Sequence, residues 1–401
     1  MKAGSVAVAV VALFLMSSMF LAPNANAQNP QAKWLFLLYL DADNSLDVYA
    51  GAHHIPVVED DFRELQSVGS TSDAVAYVLV DRVSGPANLF KVNKGSFEER
   101  KDFALNGKEA NMGDPKTLRS FVIYAQKASP AQHTLLIFWD HGSLRGVAWD
   151  DHADETGATD YLSQWEVVSA LSGLKVDVIG ADECNVGHTE VAYEYAMGLN
   201  TDYLVAAETY TGWRGFPYDA ILRELTTNPG MSARDVAKMM IEQTMLLLNV
   251  PPYSGERINS HSAIDLSKMQ ELVSALGNLT DLLSAHMNTY ANVVSKARGN
   301  AQYAYGANAI NLIDLRTFVQ SISSQTSSKQ IRDACARVLA IFDETVVAVH
   351  ATGSLQGMIF GMGIALPDHS WEMSSYYGDF KFAGEGWMDF LEAYWAVHGS
   401  V

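Results

Sequence analysis

TLLIFWDHG, residues 134–142, and VDVIGADEC, residues 176–184, are apolar runs that each stop at a side chain capable of chemistry. Continuous stretches of Leu, Ile, Val and Phe bounded by Gly and Asp mark strands buried on both faces, the condition of a parallel sheet between helix layers. Side chains just past the ends of such strands emerge at the sheet's carboxyl edge, where open α/β sheets hold their ligand crevice. The first run delivers His141 to that edge and the second delivers Cys184. An imidazole and a thiol ending neighbouring strands make a base and its nucleophile.

Working outward, an acidic, Gly-containing loop at 149–160 and a helix from about 163 to 171 separate the two runs. Strand, helix, strand implies a right-handed crossover with both strands parallel in one sheet. Upstream, 34–40 and 74–81 read as strands, 57–68 as a helix and 85–95 as a hairpin segment. A helix over 115–128 is announced by Asp114 as N-cap and Pro115 at its first position. Downstream come a helix at 189–197, a strand at 202–207 and a Gly- and aromatic-rich loop at 208–218, placed where loops shape specificity. Helices are expected at 233–248, 266–284 and 331–350, a strand at 358–366 and a closing helix at 386–397. Pro251-Pro252 is a candidate boundary. This divides the chain into an α/β region over 28–255 and a mostly helical region over 256–401 packed on it.

The first 27 residues read as a secretory signal: Lys2, an apolar run over 6–22, then the small-residue cleavage site Ala25-Asn26-Ala27. An uncleaved membrane anchor is the alternative, though the run is short for a spanning helix. No later stretch approaches the roughly 18 apolar residues of a membrane span, so a secreted or extracytoplasmic protein with no membrane association after signal cleavage is expected. The net charge of −19 opposes binding to nucleic acid or anionic lipid and would attract a basic peptide. A chain with 2 cysteines is no disulfide scaffold. Cys335 falls in a helical pattern, where a small buried hydrophobe is its natural role, which leaves Cys184 as the thiol placed for reactivity.

A thiol attacks as thiolate, and a nearby imidazole both removes its proton and later protonates the leaving amine. Backbone N–H groups of Gly142 and Cys184, beside the nucleophile, are natural oxyanion donors. The chain resembles the clostripain family of cysteine peptidases, whose fold is that of caspases, gingipains and legumain. The resemblance is carried by Trp34, Tyr39-Leu40-Asp41, Asp43-Asn44, Asn111-Met112-Gly113-Asp114-Pro115, His141-Gly142, Asp182-Glu183-Cys184 and Glu190-Val191-Ala192-Tyr193. It continues through Asp202-Tyr203-Leu204-Val205, Gly215-Phe216-Pro217-Tyr218, Ser262-Ala263-Ile264-Asp265-Leu266, Ile313-Asp314-Leu315 and Trp387. It implies a caspase-like three-layer sandwich with a mainly parallel central sheet flanked by helices, His141 as general base, Cys184 as nucleophile and cleavage after Arg or Lys. Asp182 matches the family's acidic residue near the pocket for the basic side chain, where a carboxylate can pair with a guanidinium.

Where the family has a small residue before the Cys and Leu-Met after it, this chain has Glu183 and Asn185-Val186, changes expected at the pocket wall. Ser143-Leu144-Arg145 replaces a second glycine after His141-Gly142. Relatives are commonly processed after a basic residue between the His and the Cys, yet residues 146–174 contain no Lys or Arg, so a single-chain enzyme is expected. No cofactor is required on this reading. Calcium, known in the family, could use Asp150, Asp151, Asp154 and Glu155; an ordinary solvated acidic loop is the default. Asp41, Asp43, Ser45 and Asp47 have calcium-loop spacing but lack its Gly and terminal Glu, and His53-His54 reads as a solvated loop. The expected partners are peptides or proteins with basic residues, met by a monomer. Alternatives are a catalytically silent peptide-binding protein on the same scaffold and a metal-dependent hydrolase through Asp140, His141, Asp151 and His152.

Overall fold

The run at 34–40 lies in β1 (Ala32–Ala42), and its side chains alternate between two cores. Leu35, Leu37 and Tyr39 enter one; Trp34, Phe36, Leu38 and Leu40 enter the other. A strand apolar on both faces needs a helix layer on each side of its sheet, and that is the architecture of the computed structural model. It describes Met1 and residues 31–48, 57–154, 156–212, 214–248, 260–301 and 311–398. The expected signal at 1–27, the His53-His54 loop and the Pro251-Pro252 boundary lie outside the described residues, apart from Met1.

After β1 come α1 (Ser45–Val48), α2 (Val57–Val68), β2 (Ala74–Arg82), β3 (Asn88–Asn93), β4 (Ser96–Glu99), α3 (Pro115–Ala128) and β5 (Ala131–Trp139). The middle of the chain forms β6 (Gly146–Asp150), β7 (Asp160–Ser163), α4 (Gln164–Leu171), β8 (Val178–Asp182), α5 (Thr189–Gly198), β9 (Tyr203–Ala206), α6 (Tyr218–Thr227) and α7 (Ala233–Leu248). The remainder forms β10 (Ser260–Asp265), α8 (Met269–Ser284), α9 (Met287–Ala301), β11 (Leu312–Asp314), α10 (Leu315–Gln325), α11 (Lys329–Thr345), β12 (Val346–Ala351), β13 (Gly363–Ala365) and α12 (Trp387–His398).

A 9-stranded sheet runs β12-β10-β9-β8-β5-β1-β2-β3-β4. Its middle strands β9, β8, β5, β1 and β2 are parallel, and antiparallel pairs close both sides. Helices α2, α6 and α7 cover one face; α3, α4, α5 and helices of the C-terminal third cover the other. Asp114 caps α3 as expected, its side chain accepting the Lys116 N–H at 2.8 Å, a bond of about 1 kcal/mol.

The structure departs from the sequence reading in definite places. The helix expected to reach 350 stops at Thr345, and the β-branched Val346 and Val347 begin β12, since such side chains fit a pleated surface better than a helix. Only Gly363–Ala365 of the 358–366 run is strand, and the acidic loop at 149–160 is the connection of a hairpin between β6 and β7. Helices α6, α9 and α10 were not foreseen. Strands β10 and β12, from beyond residue 255, belong to the same sheet as β5 and β8, and residues 31–401 form one compact unit.

Candidate active site

Strands β5 and β8 are neighbours and parallel, with Trp139 registered against Asp182. His141 and Cys184 therefore stand equally far beyond the last registered pair, on strands about 4.8 Å apart. Alternation decides where the adjacent side chains go. Asp182 continues the row of Val178 towards α6, whereas Glu183 continues the row of Ile179 and Ala181 towards the opposite layer.

Gly142 packs directly on the segment that carries the thiol. A Cβ there would stand 2.6 Å from Glu183 Cβ and 2.7 Å from the Cys184 carbonyl oxygen, so only glycine lets the two loops meet. Asn185, immediately after the Cys, has φ 56°, a left-handed conformation that Asn tolerates and β-branched residues do not.

Cys184 is half-buried. The Thr211 N–H donates to its Sγ at 3.4 Å, and the Thr211 hydroxyl donates to the Glu183 carbonyl at 2.9 Å. Burial pushes the thiol up to about 11; the Thr211 N–H opposes this, and the Glu183 and Asp182 carboxyls add to it. His141 is exposed to the cleft, with Nε2 2.9 Å from Ser45 Oγ, and desolvation holds its imidazole below the usual value. Among the described residues no hydrogen bond joins His141 to Cys184.

Asp182 is 6% exposed. Its Oδ2 accepts the Phe216 N–H and the Tyr218 hydroxyl, each at 2.8 Å. The loop before α6 wraps this carboxylate closely: at Gly215, φ 57°, a Cβ would lie 2.1 Å from Asp182 Oδ2. Arg214 ties the same loop to α2 by pairing with Glu64 and Asp60. Glu183, expected at the pocket wall, is instead buried across the sheet from Asp182 and next to Gly142, because adjacent strand residues point to opposite faces. It lies near Asp140 and Asp41, and burial raises all three carboxyls well above their ordinary range.

Several of the residues considered for metal already accept hydrogen bonds. Asp140 accepts from Asn44 Nδ2 at 2.7 Å and from the Trp149 N–H. Asp150 accepts from the Met112 and His152 N–H groups, and Asp154 from those of Thr156 and Ala158; Glu155 lies outside the described residues. The 41–47 loop does not converge either, for Asp47 pairs with Arg82 and Asp43 with His152 Nδ1 at 2.7 Å. Among the described residues the side chains that do converge are Asp43, Asp81 and Glu109, within 4.8 Å of one another. Sequence reasoning did not find Thr211 or Ser45. Thr211 sits in the loop before α6 and Ser45 opens α1, and neither has a spacing that announces contact with Cys184 or His141.

Adjacent parallel strands thus bring an imidazole and a thiol to one edge of a helix-flanked sheet, and similarity to known proteins places the chain among cysteine peptidases of α/β architecture. The profile of the clostripain family, peptidase C11, matches residues 38–395. Clostripain of Hathewaya histolytica is 24% identical over 418 aligned positions, which cover 88% of this chain and 78% of that one. Among solved structures, an inactive zymogen C11 protease from Parabacteroides distasonis superposes with a TM-score of 0.67 at 17% identity, over 88% of this chain and 98% of that one. A secreted C11 cysteine protease from Bacteroides thetaiotaomicron, in complex with an irreversible peptide inhibitor, gives 0.64 at 16%, over 90% and 99%. The chain belongs to the clostripain family of cysteine peptidases.

Proposed function

We propose that this peptidase is an exported endopeptidase that cleaves after Arg or Lys, with Cys184 as nucleophile and His141 as general base. One observation carries the reading. The Trp139–Asp182 register sends His141 and Cys184 to the same edge, with the Gly142 backbone packed on Cys184. The resemblance to secreted and inhibitor-bound C11 proteases supports it, as does the leader-like sequence at 1–27. Among the described residues no helix is long and apolar enough to cross a membrane.

In the first half-reaction the thiol proton moves to His141 as Sγ bonds to the scissile carbonyl carbon. The carbonyl oxygen takes the electron pair and is held by the N–H groups of Gly142 and Cys184. The intermediate collapses to a thioester as the amine departs with the proton from His141. Water then attacks the thioester, giving one proton to His141, and that proton returns to the departing sulfur. Asp182, on the α6 side of the nucleophile, supplies the carboxylate for the basic side chain.

The test uses fluorogenic peptides ending in Arg, Lys or neutral residues. Turnover of the basic substrates is expected, and Cys184→Ala should remove it, by more than about 10³-fold, without changing the circular dichroism spectrum. Equal turnover by Cys184→Ala, or none by the reduced wild-type protein with and without calcium, overturns the assignment.

A further inference from the structure

A cavity of about 580 Å³ opens beside the proposed oxyanion donors, bordered by Gly142 and Asn185. Leu312, Ala365 and Tyr377 in its wall belong to the core opposite the α6 layer. Asp182 points to the α6 layer, where Phe216 and Tyr218 cover it. On the peptidase reading, with the basic side chain at Asp182 and the carbonyl at Cys184, the other side of the sheet edge, where this cavity opens, is the side left for the residues after the scissile bond.

The cavity holds an unusual cation. Arg145 is exposed and lies between two tyrosines, 4.7 Å from the Tyr161 ring centre and 5.3 Å from that of Tyr376. Trp149 stacks on the far side of Tyr161 at 4.2 Å, which extends the pile to four planar groups. Aromatic rings beside a guanidinium hold it in place while its N–H groups remain able to meet a planar acceptor. The Tyr161 hydroxyl is within its reach; among the described residues no carboxylate is within ion-pair distance. The acidic side chain nearest in the lining, Glu372, spends Oε2 on the N–H groups of Asp368 and His369. In a chain of net charge −19, an arginine at the cleft with no carboxylate partner among the described residues is suited to recognising one.

We propose that Arg145 binds a carboxylate on the leaving side of the substrate, and so selects peptides in which an acidic residue follows the basic one within the first few positions. The proposal rests on the peptidase reading for its direction of substrate binding. Met373 and Tyr376 supply the apolar wall along which the stem of a Glu would lie. A leaving peptide can offer a carboxylate from a side chain or from its own terminus, and the experiment separates these sources.

Internally quenched peptides share one Arg-containing half and differ after the scissile bond: Glu or Gln at each of the first three positions with an amidated end, plus a short neutral peptide with a free or an amidated end. Wild type should favour a carboxylate-bearing member by at least about fivefold in kcat/KM. Arg145→Gln should bring that ratio to near one and Arg145→Lys should restore part of it; a merely structural role would lower both members together and leave the ratio intact. A preference for the side-chain series names an acidic residue, and one confined to the free end names the terminus. The same pairs are titrated against Cys184→Ala by fluorescence anisotropy. A carboxylate preference in binding without turnover keeps the site and fails the endopeptidase reading. Turnover with equal rates for all pairs keeps the endopeptidase and overturns the site.

Discussion

At Cys184 the surroundings work against the thiolate. Burial and two neighbouring carboxyls push the thiol up to about 11, with a single N–H from Thr211 opposing them, while desolvation lowers the His141 imidazole against the opposing charge of Asp151. Both shifts disfavour a preformed thiolate–imidazolium pair, and with Cys184 as the proposed nucleophile the proton is then expected to move as the sulfur attacks. This has a measurable consequence in the free enzyme. The rate of Cys184 alkylation by a small neutral reagent should climb about tenfold per pH unit from 7 to 10, because the thiolate fraction does so below its pKa. The buried Cys335, pushed up to about 12, is the internal control, and Cys184→Ala gives its contribution. An alkylation rate that levels off near pH 7 would show a thiolate already formed and would refute this account.

At the scale of elements, the decisive one is the segment joining β5 to β8. Its only basic residues are Arg145 and Lys175, and the bond after Arg145 is built into structure. The Arg145 carbonyl accepts the Gln164 N–H at 3.2 Å, the Gly146 carbonyl accepts the Ser143 N–H at 3.0 Å, and Gly146 pairs with Ser163 in the hairpin. A peptidase needs an extended, accessible strand, so the purified active protein should run as one chain on denaturing gels. Two stable fragments, one with a new amino terminus anywhere from 146 to 176, would contradict this. Strands β1, β5 and β8 were legible in the sequence because they are apolar on both faces, and the Asp114–Pro115 cap made α3 legible. Helix α6 was hidden behind the Gly-rich loop that precedes it, and β12 was read as helix because α11 runs into it without a turn. His141 and Cys184 stood out as the polar ends of apolar runs. The placement of Glu183 opposite Asp182, the approach of Gly142 and the contact of Thr211 depend on register and a distant loop, which no local pattern encodes.

For the whole molecule, the burial of so many carboxyls sets the pH of greatest stability. Burial raises Asp81 to about 8 and Asp150 and Asp314 to about 6, from about 4 in an unfolded chain. Between those limits the folded chain binds more protons than the unfolded one, so stability falls as pH rises. These contributions are fully present below about pH 4 and lost as each folded value is passed. His188 and His261 act in the opposite sense, since burial lowers both to about 3 from about 6.5. Their contribution is present above about 6.5 and lost as pH falls towards 3. The carboxyls outnumber the imidazoles over their common range, and Asp41, Asp140 and Glu183, also raised, add to the alkaline loss. The unfolding midpoint should therefore be highest at about pH 4 to 5 and decline steadily towards pH 8. His188→Leu should flatten the acid side of that curve, since His188 is fully buried and, among the described residues, neither nitrogen has a hydrogen-bond partner. A midpoint that rises from pH 5 to pH 8 in thermal scans would show that these carboxyls fold ionised. With Cys184 as the proposed nucleophile the chemistry gains from alkali while the fold loses by it, so the activity optimum should lie above the stability optimum.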